Sequence, residues 1–147
     1  MTRRTFVAAL IWVVVVATVV YLHDPPWMGR VTVGLRDWEQ APDGTRYRWT
    51  TGRASFFVPS GAASMTVPIR SVFPGPGGGP VTVDISVDDR WLATIALPDP
   101  VSWVRPTFPL RFRPTSRRHR RVDLLVSRMV GTSNRGVQIG EVVLERP

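Results

Sequence analysis

From Phe6 to Leu22 the chain carries no charged side chain, and this run divides everything before it from everything after. As a helix it is about 25 Å long at 1.5 Å per residue, near the lower limit for crossing a bilayer. Much of it is Val, a β-branched residue, but a single segment in lipid satisfies its backbone groups only as a helix. Arg3 and Arg4 precede it, Trp12 lies near its middle and Tyr21 at its far end. The positive-inside tendency then leaves the N-terminus in the cytoplasm and exports the rest. A cleaved signal peptide is the competing reading, since it shares the charged start. Ala17-Thr18-Val19 is a poor match to a small-x-small cleavage site, and His23-Asp24-Pro25-Pro26 follows. Both readings place the remainder outside the cytoplasm. The expected organisation is a cytoplasmic stub, membrane anchor and short linker over residues 1–29, and an extracytoplasmic domain over 30–147. Trp27 is expected at the bilayer interface, where an amphipathic ring is at home.

After Pro25-Pro26 the pattern changes to short apolar stretches separated by Gly, Pro and Asp. Alternation at period 2 recurs, and no segment sustains a 3.6-residue period. Val31, Val33 and Leu35 form one alternating set, Tyr47 and Trp49 a second, and Met65, Val67 and Ile69 a third. Val81, Val83, Ile85 and Val87 form the cleanest strand. Phe108, Leu110 and Phe112 follow, then Val122, Leu124 and Val126, and last Val137 and Ile139 with a phase slip at Gly140 before Val142 and Leu144. A glycine there suggests a bulge. Asp43-Gly44 and Asp88-Asp89 have the chemistry to close hairpins, and the Pro74–Pro80 stretch is a loop. Pro68 demotes its strand to an edge or a bulge. About eight strands at this spacing predict an all-β fold: an antiparallel two-sheet sandwich, or jelly roll, preceded by one transmembrane helix.

The stretches Tyr47-Arg48-Trp49-Thr50, Ala54-Ser55-Phe56 with Val58-Pro59, Val83 to Asp88 before Trp91-Leu92, Trp103, and Arg135 to Val142 carry a resemblance. The domain resembles small jelly-roll modules, similar to carbohydrate-binding or galactose-binding-like modules. Such modules accompany bacterial membrane-bound glycosyltransferases and occur in anchored envelope proteins. Asp89-Arg90 stands where such modules often place Asp-Gly. The resemblance implies an accessory module without a transferase domain, and its motifs are core and turn positions that speak to fold more than to activity.

The 147 residues include no cysteine, which excludes disulfides, thiolate chemistry and Cys-based metal sites. The formal charge is +8, and all 19 basic residues are Arg. Arg, Pro, Gly, Ala and Val have GC-rich codons, so a high-GC bacterial genome accounts for part of that excess. Net positive charge still favours anionic partners. Arg117-Arg118-His119-Arg120-Arg121 is the sharpest charge feature. It is expected as a loop tip that forms a basic patch with Arg111 and Arg113 and contacts an anionic partner, or as a merely solvated hairpin. No nucleic-acid-binding motif accompanies it, and the expected topology places it outside the cytoplasm.

Catalytic chemistry has little to rest on. His23 lies at the membrane boundary and His119 in the Arg run, and no Ser sits in a G-x-S-x-G context. No carboxylate pair stands out as a glycosidase couple. The expectation is a non-enzyme without a cofactor or metal. Asp84, Asp88 and Asp89 could contribute oxygens to Ca²⁺, but calcium needs six to eight and no EF-hand-like loop supplies them, so they read as two turn aspartates and one solvent-facing strand residue. Among the tryptophans, Trp49 is expected in the core, and Trp38 and Trp103 are the candidates for stacking on a sugar ring, since they neighbour loop-like stretches. Two functions follow. One is an envelope-located binding module that holds a saccharide or assists glycan assembly. The other is an accessory subunit that binds a protein partner and no small molecule. On the anchor reading, mass spectrometry of the membrane fraction gives the mass of a chain with its N-terminal segment retained, whereas a mature chain starting near His23 shows a signal peptide.

Overall fold

The computed structural model describes residues 3–98, 100, 102–111, 115–132 and 134–146. It opens with helix α1 (Arg3–His23). The most apolar stretch of this helix has mean hydropathy 2.6, and none of it is buried against the rest of the chain. It is long and apolar enough to cross a membrane. A short 3-10 turn (Met28–Arg30) follows, and then ten strands.

The strands are β1 (Thr32–Gln40), β2 (Arg46–Pro59), β3 (Ser64–Thr66), β4 (Ile69–Arg70), β5 (Val81–Val87), β6 (Arg90–Leu97), β7 (Thr107–Pro109), β8 (His119–Val126), β9 (Gln138–Ile139) and β10 (Val143–Glu145). They form two antiparallel sheets, the sandwich that the alternation predicts. The larger runs β4-β9-β2-β8-β5-β6, with β1 on the other flank of β2, and the smaller is β10-β3-β7. Val81, Val83, Ile85 and Val87 of β5 face Val122, Leu124 and Val126 of β8 and Ala54, Phe56 and Val58 of β2 in one core cluster. Each such side chain contributes roughly 1.5–3 kcal/mol by leaving water.

Pro68 and Gly140 mark one corner, and the strand that follows Pro68, β4, is the end strand of the large sheet, while Gly140 sits at a change of sheet rather than at a bulge. β3 lies in the small sheet and β4 in the large one, so the chain changes sheets at Val67-Pro68; β9 and β10 do the same on either side of Gly140. The Gly140 amide donates to the Pro68 carbonyl at 2.8 Å. A Cβ on Gly140 would lie 3.0 Å from the Pro68 Cβ, which is why the smallest residue stands there.

β1 departs from expectation. Val33, placed by its alternation on the buried face, is exposed. Gly34 has φ of +66°, the pairing register shifts across it between Val33 and Leu35 and again between Leu35 and Trp38, and a Cβ at Gly34 would meet the Arg53 carbonyl oxygen at 2.0 Å. Phe112, expected to end the strand begun at Phe108, lies outside the described residues.

The Asp88-Asp89 hairpin is a two-residue turn between the paired Val87 and Arg90, with φ of +50° and +63°. Both residues sit in the left-handed region that primed turns require, where Asp is tolerated better than most side chains. The two carboxylates also hold β8. Asp88 Oδ2 lies 2.8 Å from Arg120 Nη1, and Asp88 Oδ1 accepts from the Arg121 amide at 3.0 Å. Asp89 pairs with Arg121, which also reaches Asp123 at 2.9 Å. Arg120 lies on the core side of β8 and is 7% exposed. Removing the partner of a buried charge costs several kcal/mol, so Asp88→Ala lowers stability by about 2–3 kcal/mol, discounted because Asp88 is half-buried. Asp89→Gly relieves a left-handed residue and loses only an exposed pair, so it leaves stability within about 1 kcal/mol of the native chain. Thermal unfolding of the full chain followed by circular dichroism separates the two; equal melting for both variants refutes the dependence on Asp88.

Candidate functional site

The direction in which the β2 side chains point decides the site. Arg48 is in register with Ile139, and Ile139 with Ile69, two core residues. Even-numbered residues at this end of β2 therefore face the core side and odd-numbered ones the outer side. Tyr47 and Trp49, read from their alternation as core residues, stand on the outer face beside Gln138 and Arg70. Trp49 is only 7% exposed, yet it is not among the core cluster. The segment after β8 lies near it: the Arg135 guanidinium sits 5.1 Å from the ring centroid, and the Gly136 amide donates to the Thr50 carbonyl.

Rings and guanidiniums alternate across this face. The Tyr47 ring meets Trp49 edge-on at 6.4 Å. The Arg70 guanidinium lies 5.7 Å from the Tyr47 centroid and 4.6 Å from that of Trp103. Arg70 Nε donates to Gln138 Oε1 at 2.6 Å, which fixes the guanidinium in this position. The indole N–H groups of Trp49 and Trp103 are buried without a hydrogen-bond partner among the described residues. A buried unpaired donor costs about 1–3 kcal/mol, so these two are acceptor-seeking groups at one end of the sheet.

A groove of about 450 Å³ opens beside Trp103, with Thr45, Arg46, Arg105, Glu141 and Pro68 among its walls. The Asp43-Gly44 hairpin shapes one wall: Asp43 Oδ1 accepts from the Thr45 amide at 2.9 Å, and this backbone hydrogen bond is the first cause holding the Asp43 carboxyl below its ordinary pKa. Arg46 and Glu141 form an exposed ion pair across the groove at 3.3 Å. Trp38, 40% exposed, is reached by two guanidiniums, Arg46 and Arg48, each 5.1 Å from its centroid. Arg48 in turn donates to the Arg36 carbonyl at 2.8 Å and to Thr32 Oγ1. Arg46 thus connects the two tryptophans singled out from sequence, since it packs on Trp38 and lines the groove with Trp103. Arg70, Arg135, Arg105 and Glu141 were not singled out. The usable signal was that Ala54, Phe56 and Val58 share the even phase of β2, which turns Tyr47 and Trp49 outward.

The basic run is not one loop. β8 begins at His119, so Arg120 and Arg121 are strand residues committed to Asp88, Asp89 and Asp123. Arg117 and Arg118 remain exposed in the connection, and so does Arg111 at its start. Arg113 lies outside the described residues. Asp84 Oδ1 accepts from the Thr94 hydroxyl at 2.5 Å, and with Asp88 and Asp89 engaged by arginines all three carboxylates considered for calcium have protein partners. Among the described residues no three His, Asp or Glu side chains group as metal ligands.

No family model matches the chain, and no curated protein matches it in sequence. Comparison with solved structures gives likenesses of low identity. A module from Clostridium stercorarium, CsCBM6-3, solved with cellobiose, is 13% identical with a TM-score of 0.46, over 80% of this chain and 87% of that one. The EclA C-terminal domain, described as a sugar-binding protein, is 16% identical with a TM-score of 0.49, over 74% and 90%. A family 35 carbohydrate binding module from an environmental isolate is 17% identical with a TM-score of 0.42, over 76% and 86%. These are likenesses of chain path, and the site described above stands on its own geometry.

Tyr47 donates its hydroxyl proton to Glu39 Oε2 at 2.9 Å. That hydrogen bond, then burial, pushes the phenol above its ordinary value of 10.0. A raised folded-state value favours the neutral phenol, so this contribution to stability is complete below about pH 10 and is lost as pH rises through the higher folded value. In a Tyr21→Phe background, tyrosinate absorbance reports Tyr47 alone. Its midpoint lies above 10 and falls toward 10 in Glu39→Gln; an unchanged midpoint refutes the coupling.

Proposed function

We propose that the chain is a membrane-anchored binding module rather than an enzyme, and that it takes a saccharide in the groove beside Trp103. The observation that carries this reading is a half-buried indole at a groove whose walls hold planar polar side chains. Ligand sites combine a largely apolar concave surface with a few placed polar groups. A sugar ring offers C–H faces to an indole and hydroxyls to Arg46, Arg105 and Glu141. Trp38 supports the site by packing on Arg46. Anchoring through α1 is part of the proposal, supported by the length and apolarity of a helix that buries none of its surface in the chain.

A second reading, an accessory subunit with a protein partner, is favoured by β6. Among the described residues this strand pairs with β5 alone, and it turns Trp91, 70% exposed, to solvent. Slower amide exchange along β6 in native membranes than in the purified protein would favour it.

The test is a glycan array probed with the full chain in lipid nanodiscs, followed by titration of the strongest ligand. Trp103→Ala is expected to weaken binding about tenfold, the equivalent of about 1.4 kcal/mol of aromatic contact. Trp91→Ala leaves it unchanged. A blank array, or a Trp103→Ala chain that binds as tightly as the native one, overturns the saccharide reading.

A further inference from the structure

The segment between α1 and β1 is folded onto the β-sandwich, and it fixes which end of the sandwich meets the helix. Asp24, one residue past α1, accepts from the Arg118 amide at 2.9 Å through Oδ2, and the Arg118 Nε lies 3.6 Å from the same oxygen. Pro25 is buried. Gly29 lies so close to His119 that a Cβ there would sit 2.8 Å from the ring's Nε2. The connection bearing Arg117 and Arg118 is thereby held against the end of α1. Ser60 continues the chain of contacts, since its amide donates to the Arg118 carbonyl at 2.8 Å.

Directly beside this lies a second cavity, of about 520 Å³, lined by Pro59, Gly61, Ala62, Leu144 and Arg146. Among its described lining residues Arg146 brings the one charged group, and Pro59, Ala62 and Leu144 are apolar. Arg30, Arg117, Arg118 and Arg146 are all exposed at this end of the sandwich. The acidic groups that answer them are Asp24, bonded to Arg118, and Glu145, which accepts from Ser64 Oγ at 2.7 Å. Trp27, 48% exposed, completes the surface around the helix exit.

We propose that this helix-proximal end is a binding site for an anionic phospholipid. The phosphate group lies among Arg117, Arg118 and Arg146, and the glycerol and upper acyl carbons fill the cleft between the Pro59–Ala62 turn and Leu144. The inference rests on α1 crossing the bilayer, which brings this surface to the headgroup layer. Three physical facts then act together. Basic groups next to a membrane span are attracted to anionic lipid. A guanidinium presents a planar fork suited to phosphate. An apolar cleft open at headgroup depth accepts the part of a lipid that joins its polar and apolar ends. The two arginines of the basic run that β8 does not use, Arg117 and Arg118, lie in the connection held against the helix end through Arg118.

The test uses the full chain in nanodiscs of equal parts phosphatidylcholine and phosphatidylglycerol. The chain is extracted into mild detergent, and the lipids it retains are counted by native mass spectrometry. Phosphatidylglycerol is expected to be enriched about fivefold, the ratio that one arginine contact of ordinary juxtamembrane strength produces. Replacing Arg117, Arg118 and Arg146 with Gln abolishes the enrichment. Should that variant unfold, Arg117→Gln with Arg146→Gln leaves the Asp24 contact in place and is expected to remove most of it. Equal retention of the two lipids, or enrichment that survives in both variants, overturns the lipid site while the anchor stands. Failure of the native chain to float with vesicles overturns the anchor and the lipid site with it.

Discussion

A guanidinium on the inner side of a sheet has to be answered, and the ion pair between Asp88 and Arg120 is part of that answer. Arg120 is in register with Val58 on β2 and follows the core side of β8. An uncompensated charge there would oppose folding by more than one apolar residue contributes. Asp88 reaches it only from a turn with two left-handed residues, so the shape of the β5–β6 hairpin and the presence of Arg120 depend on each other. The Asp88 amide also donates to the Arg121 carbonyl at 2.9 Å. Together these contacts set where β8 lies along β5. β8 in turn sets β2, and β2 carries the outer face on which the aromatic rings stand.

Much of this was legible in sequence. The β5 alternation, the Asp88-Asp89 turn and the irregularity at Pro68 and Gly140 all read correctly as signals, because each reflects a local backbone demand. What could not be read was the meaning of the last pair. A proline and a glycine over seventy positions apart mark one corner only once the fold brings them together. β6 was missed because Ala93, Thr94 and Ala96 alternate too weakly to stand out. The basic run was misread for a related reason: its last two arginines have carboxylate partners some thirty residues earlier, and such pairing leaves no local trace. The Val33 side chain was assigned to the wrong face because the left-handed Gly34 shifts the register of β1.

The candidate site shows the same division. Trp38 and Trp103 were recognisable from loop-rich surroundings. Tyr47 and Trp49 were recognisable as a β pair, but the face they occupy is decided by strands they pair with, not by their own alternation. Arg70 meets Gln138 only where β4 and β9 pair, and Arg135, three residues before Gln138, reaches the Trp49 ring of β2. A candidate surface assembled from short strands of high sequence separation is nearly invisible to period and composition.

The fold of residues 24–30 onto the sandwich has one more consequence. Thr32 follows the turn at the helix exit and Gln40 stands beside the groove hairpin, and the eight residue steps from one to the other span at most about 26 Å at the usual rise of a strand. With no slack segment between helix and domain, the groove cannot roam as it would on a flexible tether. Where α1 crosses a bilayer as proposed, the groove is confined to a thin layer at a set height above it, and tilting of the helix is its main freedom. For a target displayed within that layer the local concentration is raised, and for one anchored nearer the headgroups it falls toward zero. On that proposal the molecule would act as a gauge of depth, tuned by the length of β1 to ligands that stand clear of the membrane.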